Sequence, residues 1–448
     1  MHGYNRSMSD QPQIDASIYV RRRTRLGALL DDGVAIVPTA PERIRNRDAH
    51  YPYRFDSYFY YLTGFREPDA VLVLIGGTQP RSILFCREKN VEREIWDGFR
   101  YGPAAAQEIF GFDEAYGVDE LDARLPDLLT DRSAVQAHLG GDAIWDTRVL
   151  SWINAVRDRA RSGVAAPRDI RDVRTLLDDM RLIKDEHEVA LMRRAGEISA
   201  AAHRLAMQAA QPGVAEYEIE AVLQHEFRRR GAQSPAYTSI VAAGAHACVL
   251  HYVENSGQLA EGDLLLIDAG CELDGYASDI TRTFPVNGRF SGPQREVYQL
   301  VLAAQAAAIA TVKPGVRWNV PHDAAVAVLA QGFIDLKLLQ GSLNEVLEQE
   351  TYKQFYMHRT GHWLGLDVHD VGDYKSNGTW RELQPGMVLT VEPGCYIRPG
   401  PGVPEEFAHI GVRIEDDALV TAQGCEILSA AAPKSVVDIE ALMRERHA

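Results

Sequence analysis

The chain has 448 residues, more than one ordinary hydrophobic core accommodates, so two domains are expected. Apolar residues make up 46% and charged residues 25%, the balance of a soluble globular protein, which excludes a disordered chain. A formal net charge of −16 sets the surface against nucleic acid and anionic membranes, so neither is an expected partner.

No apolar run reaches the roughly 18 residues of a transmembrane helix, so no span is predicted. The N-terminal MHGYNRSMSDQPQ lacks the apolar stretch of a secretory signal, and Met8 is a second candidate start that would make Met1–Ser7 an extension. The cysteines, Cys86, Cys248, Cys271, Cys395 and Cys425, are odd in number, scattered and without a CxxC pair. They read as reduced thiols of a cytoplasmic protein, not as a disulfide frame or a thiolate zinc site.

From about residue 15 to 180, strand-like and helix-like segments alternate. Ala70–Ile75 and Arg81–Cys86 have the composition of buried strands between turn residues. Asp56–Gly64 (DSYFYYLTG) is an aromatic cluster, read as core or interface. The highly charged Pro167–Asp185 reads as the join between two domains, 1–180 and 181–448. Beyond it, Glu186–Gln211 has helical periodicity and stops before Pro212-Gly213, and Ala215–Arg230 stops at Gly231. A strand-rich region follows from about Pro235 to Val286. The order then repeats. Helices are predicted over Pro293–Val312, stopping at Pro314-Gly315, and over Trp318–Gln340, stopping at Gly341. A second strand-rich region runs from about Phe355 to Leu428.

The second domain thus reads as a duplicated helix–helix–strands unit, and the residues support it. Gly262–Cys271 is GDLLLIDAGC and Gly386–Cys395 is GMVLTVEPGC. Each begins at Gly, runs through apolar strand residues to an acid, Asp268 or Glu392, and closes on Gly-Cys. A further strand after each carries a second acid, Asp279 in SDITRTF and Glu415 in VRIEDDALV. A single buried acid is ordinarily half of an ion pair. Four acids placed by two copies of one hairpin would face one centre if a pseudo-twofold axis relates the halves. There they cannot all stay charged without compensating cations. Two divalent ions balance four carboxylates better than Arg282 and Arg413, which lie on the same strands. A fifth donor is expected from FYMHRTGHWLGLDVHD, where His358, His362 and His369 cluster beside Gly361 and Gly365; spacing does not choose among the three. Oxygen donors with one imidazole suit Mn²⁺, Fe²⁺ or Co²⁺, with Zn²⁺ an alternative.

At these residues the sequence resembles the Xaa-Pro aminopeptidases (aminopeptidase P) of the pita-bread metallopeptidases. The matching pieces are HYVEN (His251–Asn255), LIDAGCELDGYASDITRTFPV (Leu266–Val286), HRTGHWLGLDVHD (His358–Asp370), LTVEPGCYI (Leu389–Ile397) and GVRIEDD (Gly411–Asp417). The first half is similar through DSYFYYLTGFREPDAVLVL and EIWDGFRYG. The resemblance implies an α/β (α+β) chain, with an N-terminal creatinase/ribonuclease-H-like domain and a C-terminal pita-bread domain.

It further implies hydrolysis of the N-terminal Xaa-Pro bond of peptides with proline second, two divalent metal ions, Mn²⁺ before the others, and a homodimer or homotetramer. By the resemblance, Asp268 is a terminal ligand of one metal. Asp279 and Glu415 bridge both. His362 and Glu392 are terminal ligands of the other, with Glu392 also the general base. His251 and His369 bind substrate or stabilise the tetrahedral intermediate, His358 supports them, and Tyr396 and Arg413 stand behind the metals. A metal-bridging hydroxide is the implied nucleophile. A prolidase acting on dipeptides, or a non-catalytic binder on the same scaffold, is the alternative. Arg359 departs from the small residue usual after His358; it is expected to narrow the cleft or to pair with an acid such as Asp367. Tyr58 stands where some relatives carry an acid near the residue matching Arg413, with Asp56 as a substitute. Trp96 matches a residue that reaches a neighbouring subunit.

Overall fold

The computed structural model describes residues 15–445. The candidate start at Met8 lies outside them. By internal contacts the chain divides into two compact units, Met1–Met180 and Arg181–Ala448. Among the described residues no helix is long and apolar enough to cross a membrane. All five cysteines are free thiols, and all but Cys425 are buried.

The first unit is built on a six-stranded mixed sheet. Its strands lie in the order Glu114–Gly117, Arg81–Cys86, Val71–Ile75, Val34–Pro38, Ala134–Ala137, Asp169–Asp172. Val34–Pro38 runs antiparallel to Val71–Ile75 and parallel to Ala134–Ala137. Central strands buried on both faces need unbroken apolar runs, which VAIVP and VLVLI supply. One face packs Ile36, Val73 and Phe85 against Leu121, Leu125, Trp152 and Ile153 from the covering helices. The aromatic segment forms the helix Ser57–Thr63, buried at every position. Asp56 caps it by accepting from the Phe59 amide, and Gly64 closes it at φ 66°, a conformation open to glycine.

The charged stretch read as a domain join is in part a strand. Asp169–Asp172 pairs in parallel with Ala134–Ala137 as the sheet's edge, and the helix Arg174–Leu182 follows it. Its side chains are mostly exposed, so backbone pairing alone recruits it, and no apolar alternation marks it in the sequence.

In the second unit the repeated order is present. Helices Glu186–Ala209 and Glu216–Arg229 precede the strands Ile240–Ala243, Leu264–Asp268 and Thr281–Pro285. Helices Gly292–Thr311 and Asn319–Asp335 precede Val388–Val391, Gly394–Ile397, Ile410–Arg413 and Asp416–Val420. Capping boxes Asp185/Glu188 and Ser291/Gln294 start the first helix of each half. The helix expected to reach Gln340 ends at Asp335. Lys337 adopts φ 58° and the Leu338 amide donates to the Phe333 carbonyl. That closing turn usually holds glycine, so a lysine there gave no stop signal.

The two acid-bearing hairpins are Leu264–Asp268 with Thr281–Pro285, and Val388–Val391 with Asp416–Val420. They meet directly. The Glu415 amide donates to the Thr281 carbonyl at 3.1 Å, and the Asp279 amide donates to the Asp417 carboxylate at 3.1 Å. Beneath them Arg282, fully buried, pairs with Asp416 at 2.7 Å. It also donates to the carbonyls of Thr281, Glu415, Ala432 and Pro433.

Candidate metal centre and active site

The hairpin junction brings all four predicted acids to one place. Asp268 ends its strand, Asp279 lies just before the partner strand, and Glu392 and Glu415 hold the matching positions in the second half. A fifth group arrives because residues 360–362 run beside residues 390–392. The Glu392 amide donates to the Thr360 carbonyl at 2.8 Å and the Thr390 amide to the His362 carbonyl at 3.0 Å. Gly361 is required there, since a Cβ would sit 2.1 Å from the Thr390 carbonyl oxygen. His362 directs Nδ1 at the Trp363 carbonyl, 2.9 Å away, which puts the proton on Nδ1. Its Nε2 then faces the Asp279 and Glu392 carboxylates at 3.4 and 3.6 Å. The ligand atoms of Asp279, His362 and Glu415 all lie within 4.8 Å of one another, the span of one coordination sphere.

The electrostatics ask for cations. Burial pushes the Glu392 carboxyl up to about 7, against the pull of His362 and Arg413. Burial and then the charges of Asp279, Glu392 and Asp268 drive Glu415 well above the carboxylate range. Burial raises Asp268 too, with Arg413 opposing it. Burial disfavours a charged His362, but the Asp279 and Glu392 carboxylates outweigh it and hold the imidazole at about 9. The cluster therefore takes up protons unless divalent ions neutralise it, and its mostly oxygen donors suit such ions.

One arginine, not two, enters the centre. Arg413 donates to Asp268 at 2.6 Å, to the Thr281 hydroxyl at 3.1 Å and to the Tyr396 hydroxyl at 3.0 Å. Tyr396 in turn lies 2.8 Å from His358 Nε2. His358 Nδ1 donates to the Arg359 carbonyl at 2.7 Å, so Nε2 accepts from Tyr396. Burial, reinforced by Arg413, lowers His358 to about 3 and keeps it neutral.

These groups line a cavity of about 620 Å³ with His251, His369, Leu250, Val253, Val368 and Tyr374. The His369 ring stands edge-on to His362, centroids 4.4 Å apart, and burial lowers its pKa. His251 sits on a loop fixed from both sides. The buried Glu216 carboxylate accepts from the Ala243 and Gly257 amides, His246 Nδ1 and the Tyr252 hydroxyl. Asn255, at φ 48°, ties the same loop to Val241 and Ser239.

Residues 190–422 match the profile of metallopeptidase family M24, and residues 19–136 match the aminopeptidase P N-terminal domain. The chain is 46% identical over 431 residues to the Xaa-Pro aminopeptidase of Haemophilus influenzae, covering 95% of this chain and 96% of that one. The Xaa-Pro aminopeptidase of Escherichia coli K12 is 44% identical, covering 96% and 98%. The solved structure of Pseudomonas aeruginosa aminopeptidase PepP superposes with a TM-score of 0.95 at 50% identity, over 98% of this chain and 100% of that one. The chain belongs to the Xaa-Pro aminopeptidases of metallopeptidase family M24. It is a hydrolase with an aminopeptidase P N-terminal domain and a pita-bread metallopeptidase domain.

Nine of the ten ligand and catalytic residues singled out in this metallopeptidase's second domain, Asp268, Asp279, His362, Glu392, Glu415, His251, His369, His358 and Arg413, line the same cavity. The tenth, Tyr396, stands behind it. One expectation changes. Asp367 pairs with Arg181 at 2.7 Å, not with Arg359, whose guanidinium lies 5.8 Å over the Trp380 ring. Within the first unit the Tyr58 hydroxyl donates to Asp178 at 2.6 Å, and Asp56 serves as a helix cap. Arg282 serves the fold beneath the site. The sequence reading missed Tyr237, whose hydroxyl stands between Asp268 and Asp279, 2.6 and 2.5 Å from their carboxylates, Thr281, which donates to Glu415 at 2.6 Å, and Glu216. Tyr237 lies in a loop with no pattern. Thr281 carried a signal, a hydroxyl two residues after the expected ligand Asp279.

Proposed function

We propose that the chain removes the first residue of peptides that carry proline second, using two divalent ions held by Asp268, Asp279, His362, Glu392 and Glu415. The observation that carries this is the convergence of two buried carboxylates, Asp279 and Glu415, two half-buried ones, Asp268 and Glu392, and the His362 Nε2 on the floor of a cavity lined by three further histidines. Asp279 and Glu415 would hold both ions between them, Asp268 would hold one, and His362 and Glu392 the other. When bound, the ions supply a hydroxide nucleophile from water near neutral pH and polarise the scissile carbonyl.

The side chains do the rest. Glu392, its affinity for protons raised by burial, accepts the water proton and delivers it to the leaving proline nitrogen. His369 and His251 donate hydrogen bonds to the developing oxyanion. Arg413 and Tyr396 hold Asp268 and neutral His358 in place. Mn²⁺ is the proposed metal. A zinc-substituted Escherichia coli aminopeptidase P with product, 44% identical, favours a site of this class that tolerates other divalent ions. Residues 1–180 are the proposed N-terminal domain and 181–448 the catalytic one. Val91, Ile95 and Trp96, all strongly exposed on the helix Val91–Asp97, are assigned to a subunit interface of a homodimer or homotetramer.

Incubation of the Mn²⁺-reconstituted enzyme with Arg-Pro-Pro, read by mass spectrometry, is expected to release arginine and Pro-Pro, and chelation to stop it. Cleavage confined to Xaa-Pro dipeptides would establish the prolidase alternative; no cleavage of either refutes the peptidase reading. His369→Ala is expected to lower kcat by about 10²-fold while metal content stays constant. A wild-type rate in that variant removes His369 from the mechanism.

A further inference from the structure

Arg359 has no role in the chemistry above, yet it is exposed and lines the same cavity as His358, Gly361 and His362. Its base is rigid. Its carbonyl accepts from His358, and the next residue, buried Thr360, has its hydroxyl within 2.8 Å of His322 and 2.6 Å of Tyr356. The guanidinium lies over the Trp380 ring at 5.8 Å, and the Lys375 ammonium lies over the same ring at 4.2 Å. Lys375 and Trp380 are paired across one hairpin. Among the described residues neither cation has a carboxylate within ion-pairing distance, and Asp367 is taken by Arg181. Two cations without a carboxylate partner among the described residues thus lie against one indole ring, beside a cleft whose floor is strongly acidic.

We propose that Arg359, with Lys375 behind it, recognises a carboxylate on the peptide just beyond the proline. The inference rests on the aminopeptidase reading. An aminopeptidase site holds one residue on the amino side of the scissile bond. The free amine is a cation and suits the acidic floor of Asp268, Asp279, Glu392 and Glu415. Everything after the proline must leave the cavity towards solvent, and Arg359 is an exposed residue of its lining. A guanidinium fork presents two parallel donors to a carboxylate, a geometry that lysine lacks. The carboxylate is either an Asp or Glu side chain at the third position or the C-terminus of a tripeptide.

The test compares kcat/KM on Ala-Pro-Asp-amide, Ala-Pro-Ala with a free C-terminus and Ala-Pro-Ala-amide, for the wild type, Arg359→Met and Arg359→Lys. The wild type is expected to favour one or both carboxylate peptides over the amide by about fivefold or more, through KM, with the preference weakening as salt rises. In Arg359→Met the ratio falls to near one, and Arg359→Lys restores part of it. Which peptide is preferred separates the side-chain source from the terminal one. Cleavage of all three peptides at equal rates by the wild type, or an unchanged ratio in Arg359→Met, overturns the inference while leaving the peptidase reading intact. Cleavage of none of them by the metal-loaded wild type refutes the underlying reading, and the inference with it.

Discussion

Asp279→Ala and Glu415→Ala are each expected to abolish turnover and to bind at least one divalent ion fewer than the wild type. Their ligand atoms lie within 4.8 Å of one another and of the His362 ring nitrogen, and Glu415 accepts from the Thr281 hydroxyl. Neither loss is expected to unfold the chain. Glu415 is a carboxylate whose proton affinity is driven up by burial and by three acidic neighbours, so its charged form strains the metal-free fold. Its removal relieves that strain. The midpoint of thermal unfolding of the metal-free variant therefore stays level or rises, while the rise that added Mn²⁺ produces in the wild type shrinks. Metal analysis, turnover and melting with and without Mn²⁺ read the three quantities separately. Full turnover in either variant sinks the two-metal assignment.

Arg282→Met carries the largest expected cost in stability. Arg282 and Asp416 are both fully buried, and breaking such a pair by removing one partner costs about 3–5 kcal/mol. Asp416 keeps the Ser429 hydroxyl, Gln305 and Lys434 as donors. The larger loss falls on the carbonyls of Thr281, Glu415, Ala432 and Pro433, which methionine cannot serve. The midpoint of thermal unfolding is expected to fall by about 10 °C. Metal affinity falls with it, because Thr281 and Glu415 belong to the centre above. A melting curve superimposable on the wild type shows that Arg282 is not the tie described here.

Much of this was legible because burial and charge conflict visibly in the sequence. Apolar strands that end in acids, twice, at the same spacing, require partners that no nearby lysine or arginine run supplies. The repeat GDLLLIDAGC and GMVLTVEPGC therefore pointed to converging carboxylates before any coordinate did. Helix limits followed where Gly or Pro marks them, as at Pro212-Gly213, and failed where Lys337 takes the left-handed turn. The edge strand Asp169–Asp172 was missed because its pairing is made by backbone atoms, which leave no trace in side-chain pattern.

The sequence by itself determined the donor types, the duplication and the family resemblance, since these depend on residue identity and spacing along the chain. Tertiary structure decided which imidazole nitrogen faces the acids, and it divided the labour between the two arginines. His362 is aligned with the carboxylates by the contact of residues 360–362 with 390–392, while His358 is turned to Tyr396. Arg413 enters the centre and Arg282 stays beneath it, although both sit on neighbouring strands with the same charge. Side chains alternate between the faces of a strand, and only the packing of one hairpin on the other assigns each face its partner.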